Sequence, residues 1–119
     1  MRIAVLSDIH DNIRVLPLAL QSVESCDAMV CCGDLCSPFV MDMLGRGFGK
    51  PLHVVFGNND ADLYRITGKA PKYPHVRLRG EFFAEEFGGR QIAVNHFNDI
   101  GMALVRGDQY DAVFFGHNH

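Results

Sequence analysis

Ile3-Ala4-Val5-Leu6-Ser7-Asp8-Ile9-His10 begins with four apolar residues and ends on a carboxylate and an imidazole two positions apart. A short run of this kind, bounded by polar residues, reads as a buried strand. The pattern then recurs. Apolar runs at Ala28-Cys32, Leu52-Phe56, Ile92-Val94 and Ala112-Phe115 are each followed, within a few residues, by a side chain able to ligate a metal. These side chains are Asp34 after the second run, Asn58 after the third, His96 after the fourth, and His117 with His119 after the fifth. In open α/β sheets, functional groups gather beyond the carboxyl ends of the strands, so these residues are expected on one rim.

Helical patterns lie between the strands. Ile13, Leu16, Leu20 and Val23 form one helical face, with Pro17 shifting its start by about a turn. Ser37-Pro38 predicts a cleaner start: a cap followed by a proline suited to the first helical position. Phe39, Val40, Met43 and Leu44 follow before Gly45, Gly47 and Gly49 break the pattern. Asp60 is expected to cap a short helix reaching Ile66, and Pro71 with Pro74 marks a loop. Val76-Arg79, Glu81-Phe87 and Arg90-Asn95 predict antiparallel strands with a hairpin at Gly88-Gly89. Asp99 is expected to cap a last helix with Met102 and Val105 on its inner face, ended by Gly107. The order is β-α-β-α-β, a hairpin, then α-β, which predicts an α/β fold with a mixed sheet or two packed sheets.

At 119 residues, of which 48% are hydrophobic, the chain is expected to be one domain over residues 1–119 with one active site. Eleven basic against 14 acidic residues give a formal charge of -3. That balance lacks the basic excess that holds a nucleic-acid backbone, and it disfavours a nuclease. No apolar run approaches the roughly 18 residues of a membrane span, and Ile3-Leu6 is shorter than the core of a signal peptide, so a cytoplasmic location is expected. Cys26, Cys31, Cys32 and Cys36 lack paired C-x-x-C spacing and read as free thiols, Cys31 and Cys32 as small core residues. Oligomeric state is open, a homo-oligomer included.

Taken singly, Asp8 and Asp34 are ordinary cap or turn residues, Asn58 is a turn residue and His96 a satisfied buried histidine. Together they read as a metal site. Asp8-x-His10 and His117-x-His119 would place each pair on the same side of extended backbone, as shared metals require.

The blocks Asp8-Ile9-His10, Gly33-Asp34, Gly57-Asn58-Asn59-Asp60, His96 and Gly116-His117-Asn118-His119 resemble the calcineurin-like metallophosphoesterases, and most of all their short prokaryotic phosphodiesterase branch, to which the eukaryotic retromer subunit is also related. The resemblance implies a sandwich of two mixed β-sheets flanked by helices. It implies two divalent metal ions drawn from Mn, Fe, Co, Ni and Zn: one held by Asp8, His10, Asp34 and His119, the other by Asp34, Asn58, His96 and His117. Asp34 would bridge, and Asp34, Asn58 and His96 would carry the catalysis. The implied activity is phosphodiester or phosphomonoester hydrolysis of a small substrate by a metal-bridging hydroxide. A non-catalytic scaffold that binds protein partners, as the retromer subunit does, is the alternative from another class. Relatives continue by several strands beyond the His-x-His block, which implies that a chain stopping at His119 lacks those C-terminal strands and is a fragment.

Three positions depart from the pattern. Many relatives carry a histidine where this chain has Asn59, and an orienting aspartate where it has Ser37; a second histidine near His96 is replaced by Asn98. Asn12 and Asp60 adjoin ligands and read equally as caps or as partners of those ligands. Arg77 and Arg79 read as a solvated strand face, and Glu85, Glu86, His53 and His75 receive no functional role. With no evident acid for the leaving group, esters of acidic alcohols are expected to be cleaved fastest. Aryl phosphodiesters should therefore outpace alkyl ones when chemistry limits turnover; equal rates for the two classes would refute this.

Overall fold

The computed structural model describes residues 1–119. Strands β1 (Ile3–Leu6), β2 (Ala28–Cys31), β3 (Leu52–Val54) and β4 (Val76–Leu78) lie side by side in that order, and every pairing is parallel. Parallel neighbours need a crossover. Here the crossovers are α1 (Leu16–Ser22), α2 (Pro38–Gly47) and α3 (Leu63–Lys69), the last extended by a 3-10 turn at Ala70–Lys72. Strands β5 (Phe82–Phe87), β6 (Arg90–Asn95) and β7 (Ala112–Phe114) form the second sheet: β5 and β6 are an antiparallel hairpin, and α4 (Asn98–Arg106) returns β7 parallel to β6. Two sheets flanked by helices are present as expected. The mixed pairing belongs to the second sheet alone, because every connection within the first is a helical crossover.

Two cores follow from strand alternation. Met29 and Cys31 face the helices with Leu35, Val40, Met41, Leu44, Leu52, Val54 and Ile66. Val30 and Cys32 face the second sheet and pack with Val55, Phe83, Phe87, Ile92 and Val94. β2 is thus buried on both faces, as a central parallel strand should be. All four thiols are free, and desolvation pushes that of Cys31 up to about 12. No helix is long and apolar enough to cross a membrane.

Helix boundaries shift where side-chain hydrogen bonds compete with pattern. α1 starts at Leu16 and leaves Ile13 exposed, because Asn12 Oδ1 accepts the Val15 amide in the turn before it. α2 starts at Pro38 but runs on through Gly45 to Gly47, packing of Leu44 and Gly45 overriding weak propensity. Ser37 does not cap it; its amide and hydroxyl both bind the Asp11 carboxylate, at 2.8 and 2.6 Å. α3 is capped by Asp62, which accepts the Arg65 amide at 3.2 Å, and not by Asp60. Asp99 lies within the first turn of α4, preceded by Phe97 at the cap position. The expected inner face of that helix is wrong: Met102 and Val105 are 43% and 50% exposed. Gly101 faces inward instead, since its missing side chain lets the helix backbone approach the Phe115 ring, where a Cβ would lie 2.3 Å from a ring carbon.

His53 is locally satisfied in the interior. Its ring stacks on Phe83 and meets Phe87 edge-on, and its Nδ1 accepts from Arg79 at 2.9 Å. Arg79 also pairs with Glu85 at 3.0 Å and lies over the Phe83 ring. Desolvation holds the imidazole below its ordinary value of 6.5, only partly opposed by Glu85. The unfolded chain therefore takes up the proton first, so this stabilisation is complete above the ordinary value and is lost as pH falls through it. His53→Gln, which keeps an acceptor but cannot titrate, should lose less stability than wild type in urea unfolding between about pH 7.5 and 5.5. Identical losses would rule out His53 as a source of acid sensitivity.

Candidate metal centre

The carboxyl ends of β1, β2, β3, β6 and β7 all open onto one rim, and their loops bring the seven expected residues together. Asp8, His10 and His119 present ligand atoms within 4.8 Å of one another, as do Asp34, His96 and His117. Asn58 joins the second group: its Oδ1 is 3.1 Å from both His96 Nε2 and His117 Nδ1. Asp34 Oδ2 lies 3.3 Å from His10 Nε2 and 3.3 Å from His96 Nε2, so a single oxygen adjoins both groups. Asp8 Oδ1 stands 3.5 Å from His10 Nε2 and 3.1 Å from His119 Nε2.

These spacings fit a metal. Nitrogen and oxygen ligands about 2.0–2.2 Å from one cation stand roughly 3.0–3.5 Å apart in octahedral to tetrahedral arrangements. Asp8 Oδ1 is buried without a hydrogen-bond partner, a costly state for a carboxylate oxygen that a cation would relieve. Its other oxygen is held by Ser7 Oγ at 2.6 Å and the His117 amide at 3.0 Å. Burial works against the Asp8 charge, but the Ser7 hydrogen bond and the His117 amide outweigh it and keep this carboxyl below its ordinary value. His96 is fully buried, and its Nδ1 donates to the Cys32 carbonyl at 2.8 Å; a carbonyl only accepts, so Nε2 keeps its lone pair for the centre.

The backbone departs from the expectation of extended segments. Asp8, His10, Asp34, His117 and His119 all have positive φ, from 43° to 72°. The chain turns sharply as each strand ends, and side chains converge through these turns and not through strand alternation. Such conformations are uncommon outside glycine and cluster at functional sites. Two glycines complete the cradle: a Cβ on Gly116 would lie 1.9 Å from Ser7 Oγ, and one on Gly57 would lie 2.2 Å from Asp34 Oδ1.

A family model for the calcineurin-like phosphoesterase superfamily domain matches residues 1–119. Among solved structures, the fold is similar to an archaeal phosphodiesterase, with TM-score 0.88 and 21% identity over 98% of this chain and 73% of that one. It is similar to the YfcE phosphoesterase from E. coli, with TM-score 0.61 and 16% identity over 82% of this chain and 58% of that one. It is also similar to Vps29 from Chaetomium thermophilum, with TM-score 0.62 and 17% identity over 95% of this chain and 57% of that one. At such identities the likeness is one of fold, and the chain spans less than two thirds of the latter two. No curated protein matches it by sequence.

Several residues that hold the rim were missed or left open from sequence. Ser7 and Asp11 went unnoticed, although each adjoins a singled-out residue and offers a short polar side chain where a strand ends. Asn12 proves to be a turn residue and Asp60 a partner of the ligand loops. The Asp60 carboxylate accepts three backbone N–H groups: Asp34 at 2.9 Å, Gly57 at 2.7 Å and Cys36 at 2.7 Å. It thereby ties the loop after β2 to the loop after β3. Asp60→Asn keeps the shape but turns an NH₂ toward backbone N–H donors, and should cost about 2–4 kcal/mol of stability. Urea unfolding checks this; a loss below about 0.5 kcal/mol would show that the loops hold without the charge.

Proposed function

The chain belongs to the calcineurin-like phosphoesterase superfamily, and on that premise we propose that it is a two-metal-dependent phosphodiesterase acting on a small phosphate ester. The observation that carries this reading is the Asp34 Oδ2 atom, 3.3 Å from a histidine nitrogen of each ligand group. One ion would be held by Asp8, His10, Asp34 and His119, the other by Asp34, Asn58, His96 and His117. Imidazole, carboxylate and amide donors suit Mn, Fe, Co, Ni or Zn, with manganese among the candidates. Bound there, such cations supply positive charge for the phosphate oxygens and acidify a water as nucleophile.

The protein's own part is to aim the donors. Asp34, Asn58 and His96 form the catalytic floor, with His96 oriented by Cys32 and Asp34 buried to 1% exposure. The Ser37 hydroxyl, bonded to Asp11, and the Asn59 carboxamide, bonded to Asp34, are not acids able to protonate a leaving group near neutral pH. That lack of an acid supports the preference for acidic leaving groups. It is also what favours the second reading, a non-catalytic scaffold on the same fold. Convergence of all seven donors favours the enzyme. A single cytoplasmic domain suits both readings, and no lipid or nucleic-acid partner is needed for either.

Protein stripped of metal and reloaded with Mn, Ni, Co or Zn should hydrolyse bis-nitrophenyl phosphate, with nitrophenyl phosphate and single-stranded DNA as comparison substrates. Asp34→Asn should reduce diester turnover by more than about 100-fold. Full metal occupancy without turnover on any substrate would sink the enzyme reading in favour of the scaffold.

A further inference from the structure

Asn59 sits in an exposed turn, where an asparagine ordinarily bonds its own backbone. Here it reaches 25 residues back along the chain to Asp34. Its backbone N–H donates to Asp34 Oδ1 at 2.9 Å, and its side-chain Nδ2 donates to Asp34 Oδ2 at 2.9 Å. An ionised carboxylate only accepts, so the amide nitrogen and not the amide oxygen must face it. One residue therefore grips both oxygens of the shared carboxylate. The torsion that turns a carboxylate about its Cβ–Cγ bond is broad and soft. Two donors from one rigid turn remove that freedom and leave Oδ2 between His10 Nε2 and His96 Nε2. Asp60 fixes the same residue from the other side, through the Asp34 amide, but does not touch its carboxylate.

We propose that the Asn59 side chain is a positioning residue of the metal centre, one that sets the rotation of the Asp34 carboxylate and thereby the affinity for divalent cations. It gives no hydrogen bond to the phosphate or to the leaving group. This inference rests on the reading of Asp34 as the shared ligand. Asn59 lacks positive φ, so other residues fit its backbone, and its N–H survives any substitution except proline. Asn59→Ala thus removes one prong of the grip and nothing else; Asn59→Leu removes the same prong while filling nearly the same volume.

The test is titration of the metal-stripped protein with Zn alone and with Mn alone by calorimetry, alongside its thermal unfolding. Both Asn59 variants should bind about 10–100-fold more weakly than wild type, while the metal-stripped proteins melt within a few degrees of it. At saturating metal, diester turnover should return to within a few-fold of wild type, because a group that only positions a ligand is dispensable once the ion is in place. Unchanged affinity in Asn59→Leu would overturn the proposal. So would turnover that stays low at saturating metal, since that marks a direct contact with substrate. Asp34→Asn separates the two levels of the argument. If it abolishes binding while the Asn59 variants bind normally, only the positioning role fails; if it too binds normally, the shared-ligand reading fails with it.

Discussion

A carboxylate buried to 1% exposure, that of Asp34, is the constraint around which the rim is arranged. An isolated charge in the interior is costly unless it is paired and hydrogen-bonded. The chain meets that requirement from several directions at once. Asn59 grips both oxygens, histidines from β1 and β6 adjoin Oδ2, and the Asp34 backbone is held by Asp60 and by the His10 amide. Three loops remote in sequence are thereby committed to one point. Removing the charge would leave the Asn59 amide groups without their acceptor and the two ligand groups without their shared oxygen.

The sheets make this convergence possible. Because β1, β2 and β3 are parallel, their carboxyl ends open on the same side, and each loop leaving that side delivers a donor. The second sheet needs a different device, since a hairpin alone would send alternate strand ends to opposite sides. The return through α4 makes β7 parallel to β6, which brings His96 and His117 to the same rim. The close approach of Gly101 to Phe115 belongs to that crossover. It also explains why α4 leaves Met102 and Val105 facing outward.

Strands and candidate donors were legible in the sequence because both are written locally: a short apolar run, then a side chain able to ligate a metal. All seven of those side chains meet, and each of the five runs contains a strand. What escaped was decided by partners distant along the chain. Asp60 and Asp62 are equally plausible caps when read alone; only the amides of Asp34 and Cys36, folded against Asp60, draw it away from the helix. Asn59 looked like an absent histidine because its partner lies on another loop. The rotation of α4 depended on a glycine meeting a phenylalanine that follows a different strand. The left-handed turns at the ligands have no pattern signature either, since aspartate and histidine tolerate positive φ without requiring it.

Charge balance gives the donor set its chemical sense. On the proposed reading, two divalent cations meet only two carboxylates, Asp8 and Asp34, while His10, Asn58, His96, His117 and His119 are neutral donors when they ligate. Roughly two positive charges are then left facing the open rim, which suits the anionic oxygens of a phosphate ester. A third carboxylate in place of Asn58 would halve that excess. An ionised acid in place of Asn59 would set a negative charge against Asp34 and compete for the same cations. On that reading neutral amides at both positions leave the field that would draw in a substrate undiminished, and Asn59 alone of the two holds the Asp34 carboxylate. On the same reading, a carboxamide at either position has no acidic proton to give a leaving group.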